Sequence, residues 1–170
     1  MMELKAIREK YHMSQMALAE KAGMSANGVQ NAESGITQIR YSTLYKLGLS
    51  LYSDLTCEEI QSVSWDGEKL YELRKNSKLR QKQFAEALGV HVNSVSLWEN
   101  GTEPKAETIL QMSQIFGCLP SVFFRYSGSD ELLTDVDVRM RKESLDVSGI
   151  SQTDRISYLS FLDFAKKQIA

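Results

Sequence analysis

A chain of 170 residues, 42% apolar and 25% charged with a net charge of −2, has the composition of an ordinary globular protein and room for two small domains of about 60 residues plus a tail. It contains no apolar run of membrane-spanning length, and Met1–Lys10 is charged throughout where a signal peptide would be apolar, so a cytoplasmic protein with no membrane partner is expected. Cys57 and Cys118 lie outside any CxxC pair and read as reduced structural thiols. His12 and His91 are isolated, and there is no metal-ligand spacing, Gly-rich phosphate loop or Ser elbow, so the sequence predicts no metal, no cofactor and no enzyme.

In chain order, Leu4, Ile7 and Tyr11 form the apolar stripe of a first helix. Ser14 is a natural N-cap, because its hydroxyl can satisfy the free backbone N–H groups of a second helix running to Ala22 with Leu18 and Ala19 inward. Gly23 ends that helix where positive φ is needed. Ser25 caps a third, running to about Glu33 and closed by Gly35, and Thr43–Leu51 forms a fourth with Leu44 and Leu47 inward. Ser62–Gly67 reads as a short link with Trp65 packed at a junction. The same order then returns: Leu70 and Leu73, Gln81–Leu88, Gly89, His91, Val92–Glu99, Gly101, and Glu107–Phe116 with Ile109 and Met112 inward.

The return is a duplication. Placing Leu4 over Leu70 and sliding without a gap to Gly35 over Gly101 gives ten identities in 32 positions, including Arg8/Arg74, Gln15/Gln81, Ala19/Ala85, Gly23/Gly89, Asn27/Asn93 and Glu33/Glu99. Beyond Arg125, Ser127–Asp130 is loop-like. Leu132–Val147 fits helix through Leu133, Val136 and Met140, and strand through Val136, Val138 and Met140. A helix is predicted from Thr153 to Ile169, with Asp154 early and Lys166 and Lys167 late, as the helix dipole favours. Its apolar face is too wide for a lone surface helix, so it packs back on the second domain or forms a homodimer.

Two helices meeting over a tight turn need a small residue where their backbones approach, which Ala19 and Ala85 supply, and a turn glycine, which Gly23 and Gly89 supply. Val29/Val95 and Ala32/Trp98 would anchor the next helix and leave its other face free. These residues resemble the lambda-repressor-like (Cro and XRE) family of helix-turn-helix proteins, most tightly over Gln15–Ser34 and Gln81–Asn100. The resemblance implies an all-α fold with two tandem helix-turn-helix domains of four to five short helices each, at residues 1–61 and 68–128, joined by a linker at 62–67 and followed by a tail at 129–170 with a C-terminal helix. It also implies a DNA-binding transcriptional regulator, a repressor of bacterial or phage type, with double-stranded DNA as partner. Structural ion pairs Arg8–Glu33 and Arg74–Glu99 follow from the same resemblance.

The resemblance further implies that Gln15 and Gln81 at the start of the second helix, with adjoining Ser14 and Arg80, contact the DNA backbone, where helix N-termini also favour phosphate. Base readers come from Ala26, Asn27, Gly28, Gln30 and Asn31 in the first copy and from Val92, Asn93, Ser94, Ser96 and Leu97 in the second. Asn27 and Asn93 stand out because a carboxamide can bond N6 and N7 of adenine together. Gln38, Arg40 and Lys105, after the third helix of each copy, are placed to reach phosphate, as is Lys82 in a run (Arg74, Lys75, Lys78, Arg80, Lys82) that contains no acid. The copies differ: the first has fewer cations and Gly28 inside its recognition helix, at a cost of about 1 kcal/mol in helix propensity. The second is therefore expected to dominate DNA affinity. A protein-interaction module on the same fold, antitoxin-like or antagonist, is the competing reading.

Overall fold

The computed structural model describes residues 4–35 and 39–147, with the side chains of Asp130, Arg141 and residues 143–147 outside the description. Gln38 and the helix expected at 153–169, with its dimerisation reading, lie outside the described residues. The first copy forms α1 (Leu4–Lys10), α2 (Gln15–Ala22), α3 (Ala26–Ser34) and α4 (Tyr41–Tyr52), followed by α5 (Cys57–Gln61). The second forms α6 (Gly67–Asn76), α7 (Gln81–Leu88), α8 (Val92–Glu99) and α9 (Ala106–Phe116). A 3-10 turn at Pro120–Phe123 and a long helix α10 (Asp130–Val147) complete the order. Two short strands, β1 (Ser64–Trp65) and β2 (Phe124–Arg125), pair antiparallel with Trp65 opposite Phe124.

The first core is local. Leu4, Ile7, Leu18, Val29 and Leu47 are sealed from solvent in one cluster made by α1 to α4. The second core is not confined to the second copy: Tyr41, Tyr45 and Leu49 of α4 and Ile60 of α5 join Leu70, Phe84, Val95, Ile109 and Phe123 in one cluster. Helix α4 is therefore buried on two sides, with Leu47 and Leu51 turned to one core and Tyr45 and Leu49 to the other. Leu44, expected inward, is half-buried, because Tyr45 takes the position facing the second copy.

Residues 62–67, expected as a linker, are built into the fold. Trp65 stacks on Phe123 with ring centroids 5.7 Å apart and meets Phe124 edge-on at 5.6 Å. Its indole N–H donates to the carbonyl of Trp98 at 2.9 Å. Asp66 caps α6 by accepting from the Lys69 N–H at 3.0 Å, and Arg125 of β2 closes on the same carboxylate at 2.9 Å. Gly67 follows at once. A Cβ there would stand 2.5 Å from the carbonyl oxygens of Trp98 and Glu99 and 2.8 Å from the Glu99 carbonyl carbon, backbone atoms that cannot swing aside. Gly67→Ala is expected to cost about 1–3 kcal/mol through overpacking, read as a lower thermal midpoint; an unchanged midpoint would disprove the close approach.

The ambiguous segment at 132–147 is helical. Leu133, Val136 and Met140 are buried together with Asp137, a helical spacing on one face. This face lies on α4 at Gly48, where an added Cβ would collide with Val136 and Met140. The chain thus leaves the second copy and returns to cover the first. Asp137 accepts from the Tyr45 hydroxyl at 2.8 Å, the Tyr41 hydroxyl at 3.4 Å and the Ser121 N–H at 3.1 Å, so the buried carboxylate holds α4, α10 and the 3-10 turn together. Cys57 is exposed and Cys118 buried; burial, and then the nearby Asp137 charge, push the Cys118 thiol up to about 12, which keeps it protonated.

Candidate nucleic-acid interface

The α2–α3 and α7–α8 pairs are built by equivalent local chemistry. In the first copy the Ser14 hydroxyl accepts from the Ala17 N–H at 3.0 Å, opening α2. Gly23 at φ 63° ends it, and the Met24 N–H returns to the Ala19 carbonyl at 2.9 Å. The Ser25 hydroxyl then accepts from the Gly28 N–H at 3.1 Å to open α3. In the second copy Arg80 cannot cap, and the Gln83 side-chain oxygen instead accepts from the Arg80 N–H at 2.9 Å. Gly89 at φ 67° makes the turn and the His91 Nδ1 accepts from the Asn93 N–H at 3.2 Å. Ala19 and Ala85 are buried where the helices meet, and Val29 and Val95 anchor α3 and α8 from beneath.

A buried polar network locks each pair to the preceding helix. The Arg8 guanidinium pairs with Glu33 through Nε and, at 3.3 Å, through Nη2, and its Nη1 donates to the Met13 carbonyl at 2.7 Å. Arg74 pairs with Glu99 in the same way, with Nη2 at 3.1 Å and Nη1 on the Leu79 carbonyl at 2.8 Å. Gln15 and Gln81 belong to these networks: each donates from its amide nitrogen to the same carboxylate, Glu33 or Glu99, at 2.7 Å. An N–H of each glutamine is thus already committed inside the protein, a fixed position the sequence did not disclose. Desolvation pushes the Glu33 carboxyl up, but the hydrogen bonds from Arg8 and Gln15 outweigh it and hold the group below the usual carboxylate range.

The opposite faces of α3 and α8 are open. Ala26, Asn27, Gln30 and Asn31 are exposed on α3, while Gly28 is half-buried. On α8, Asn93 and Leu97 are exposed and Val92, Ser94 and Ser96 are half-buried; Leu97 stands 58% exposed, unusual for a leucine beside buried Val95. Arg40 and Lys105 are exposed at the N-caps of α4 and α9, the helices that follow α3 and α8 in the chain. Arg80 and Lys82 are exposed around the start of α7, beside exposed Lys78 at φ 58°.

The duplicate positions expose the difference between the copies. Lys78, Arg80 and Lys82 correspond to His12, Ser14 and Met16, all exposed, and Met16 is 72% exposed. The backbone is the same at the first of these, with His12 at φ 53°. The second copy therefore surrounds its turn with cations where the first has none of them.

Sequence reasoning also missed how the copies meet. Glu103, in the loop after α8, accepts from the Ser42 N–H at 2.9 Å and from the Ser42 hydroxyl at 2.7 Å, so an acid of the second copy satisfies the first turn of α4 in the first. A loop acid carries no sequence signal for a partner 61 residues away.

Comparison with known proteins returned no match among curated proteins and none among solved structures. The helix-turn-helix family profile matches twice, over residues 4–48 and 70–123, which together make up more than half of the chain. Each match contains one complete pair, α2–α3 or α7–α8, with its buried Arg–Glu lock and open outer face. The chain belongs to the helix-turn-helix family of DNA-binding regulators and carries that domain in tandem duplicate.

Proposed function

We propose that the chain is a transcriptional repressor of bacterial or phage type that binds a specific duplex sequence, with the second copy supplying most of the affinity. The observation that carries this reading is the exposed set Lys78, Arg80, Lys82 and Lys105, which brackets the α7–α8 pair along the chain. Cations there neutralise phosphates, release counterions and set the register of the domain, while Asn93 and its neighbours face base edges. Asn93 offers a bidentate amide to adenine and Leu97 an apolar contact to the thymine methyl. Repression is the simplest consequence, since occupying a promoter excludes other proteins from it. In this reading residues 1–61 and 68–128 are the two DNA-facing units.

Selection from random duplex DNA is expected to give an enriched motif and a binding constant that falls steeply with salt. Arg80→Gln/Lys82→Gln should reduce the slope of log K against log salt by about 2, close to 0.9 for each phosphate that is no longer neutralised, and weaken all sequences alike. No enriched motif and a flat salt response would favour the second reading, a module that binds a protein partner. The start of α2, with exposed His12, Ser14 and Met16 where the second copy has Lys78, Arg80 and Lys82, is the observation that favours it.

A further inference from the structure

One seat is filled in the first copy and open in the second. In the first copy α5 lies against both α2 and α4. The Gln61 amide nitrogen donates to the Ala22 carbonyl at the end of α2, and the Gln61 amide oxygen accepts from Lys46 Nζ of α4 at 3.0 Å. Lys21 of α2 donates to the Ser53 carbonyl, just before α5. A Cβ on Gly23 would strike Gln61 and Cys57, so α5 covers the turn between α2 and α3. Among the described residues nothing takes this place in the second copy: a Cβ on Gly89 would meet no atom within 4 Å. The chain after α9 enters the 3-10 turn instead, which packs on α6 and α9.

The side chains around the open seat differ to match. Aligned at their N-cap residues Arg40 and Lys105, α4 and α9 place buried Leu47 over buried Met112, Tyr45 over Leu110, Lys46 over Gln111 and Ser50 over Ile115. Tyr45 and Ser50 are sealed from solvent, while Leu110 and Ile115 stand 39% and 40% exposed. Both lysines that anchor α5 are replaced, Lys21 by Ala87 and Lys46 by Gln111. The open seat thus presents apolar surface where the filled one has anchoring charges. We propose that residues 153–169 dock on this seat, within their own chain, as an amphipathic helix. Tyr158, Phe161, Leu162, Ala165 and Ile169 recur at the spacing of one helix face, an uncharged stripe that leaves Lys166 and Lys167 outside it. Covering Leu110 and Ile115 with that stripe removes apolar surface of both from water. The reach suffices. Asp137 of α10 is bonded to the Ser121 N–H, and Phe123 of the same 3-10 turn lies 6.2 Å, ring to ring, from Phe116 of α9. From Asp137 the helix runs about 15 Å to Val147. Residues 148–152 can extend about 17 Å, and a helix over 153–169 adds about 25 Å.

The test is hydrogen exchange of the full chain, read by mass spectrometry beside a synthetic peptide of residues 148–170. Amides of 153–169 should exchange at least about tenfold more slowly in the chain than in the peptide, at concentrations where sedimentation shows a monomer. Leu110→Asp/Ile115→Asp should return them to the peptide's rate while α1 to α8 keep theirs. Tyr71→Asp, at an exposed aromatic of α6, should change nothing in 153–169. Phe161→Asp/Leu162→Asp, outside the described fold, should free the segment, and the amides of α9 should then exchange faster. Exchange at the peptide's rate in the parent chain overturns the docking. So does protection that survives Leu110→Asp/Ile115→Asp, or α9 exchange unmoved by Phe161→Asp/Leu162→Asp. Protection that appears only as the chain dimerises gives the seat to a second copy and overturns docking within one chain.

Discussion

Arg74→Ala is expected to destabilise the protein by about 3–5 kcal/mol, the cost of removing one partner from a buried ion pair. Arg74 is 5% exposed, and its guanidinium spends its donors on Glu99 and on the Leu79 carbonyl. Its loss leaves the Glu99 carboxylate to the Gln81 amide and strands a backbone carbonyl at the α6–α7 turn. Both penalties are desolvation costs without compensation, which is why the expected effect exceeds that of an exposed pair such as Lys69–Glu72. The damage should not stay local, because α8 is fixed by Glu99 below and its Trp98 carbonyl receives Trp65 above. Thermal melting followed by circular dichroism checks the size of the effect. The double variant Arg74→Met/Glu99→Leu separates the causes: if the uncompensated charge dominates, it recovers most of the stability, since a buried pair replaced by apolar residues is often close to neutral. A midpoint for Arg74→Ala equal to that of the parent chain would rule out the pairing.

The features legible in the sequence were those set within one or two turns of chain. Ser14 and Ser25 act as caps, and Gly23 and Gly89 sit in the left-handed region, because each choice depends on neighbours three or four residues away. The duplication made the family legible, since a moderate pattern seen twice at one spacing carries far more weight than either copy. What escaped was contact between distant segments. Residues 62–67 carry the marks of a linker, and only pairing with Phe124 and Arg125 makes a strand of Ser64 and Trp65. Val136, Val138 and Met140 alternate as a strand would, and Asp137 interrupts the apolar face of a helix. Its partners Tyr41 and Tyr45 lie more than 90 residues back, so the burial of an acid there could not be anticipated. Within the site, exposure of Asn27, Gln30, Asn31 and Asn93 agrees with a helix anchored by one face, but the engagement of Gln15 and Gln81 by Glu33 and Glu99 depends on three helices meeting.

Trp65→Ala should cost about 3–5 kcal/mol, in the range for truncating a large aromatic in a packed core, and should also uncouple the copies. Trp65 is 8% exposed and lies where three constructions meet: the β1–β2 pair, the rings of Phe123 and Phe124, and the end of α8 through the Trp98 carbonyl. Phe124 in turn packs edge-on against Tyr45 of α4 with centroids 5.0 Å apart, so the indole supports the surface on which the first copy rests. Removing it leaves a cavity at the joint and takes one donor from the Trp98 carbonyl, which keeps the Gly101 N–H at 3.2 Å, while the first core of Leu4, Ile7, Leu18, Val29 and Leu47 is untouched. The chain has two tryptophans, so in this variant Trp98 alone reports on α8 by fluorescence, and circular dichroism reports on the helices of both copies. The two probes should give separate denaturation midpoints, with fluorescence changing first, where the parent chain gives one. Trp65→Phe keeps the ring stack and loses only the N–H, so its cost should be nearer 1 kcal/mol with the midpoints still together. Coincident midpoints in Trp65→Ala would mean that Glu103 and Asp137 hold the copies together without the indole.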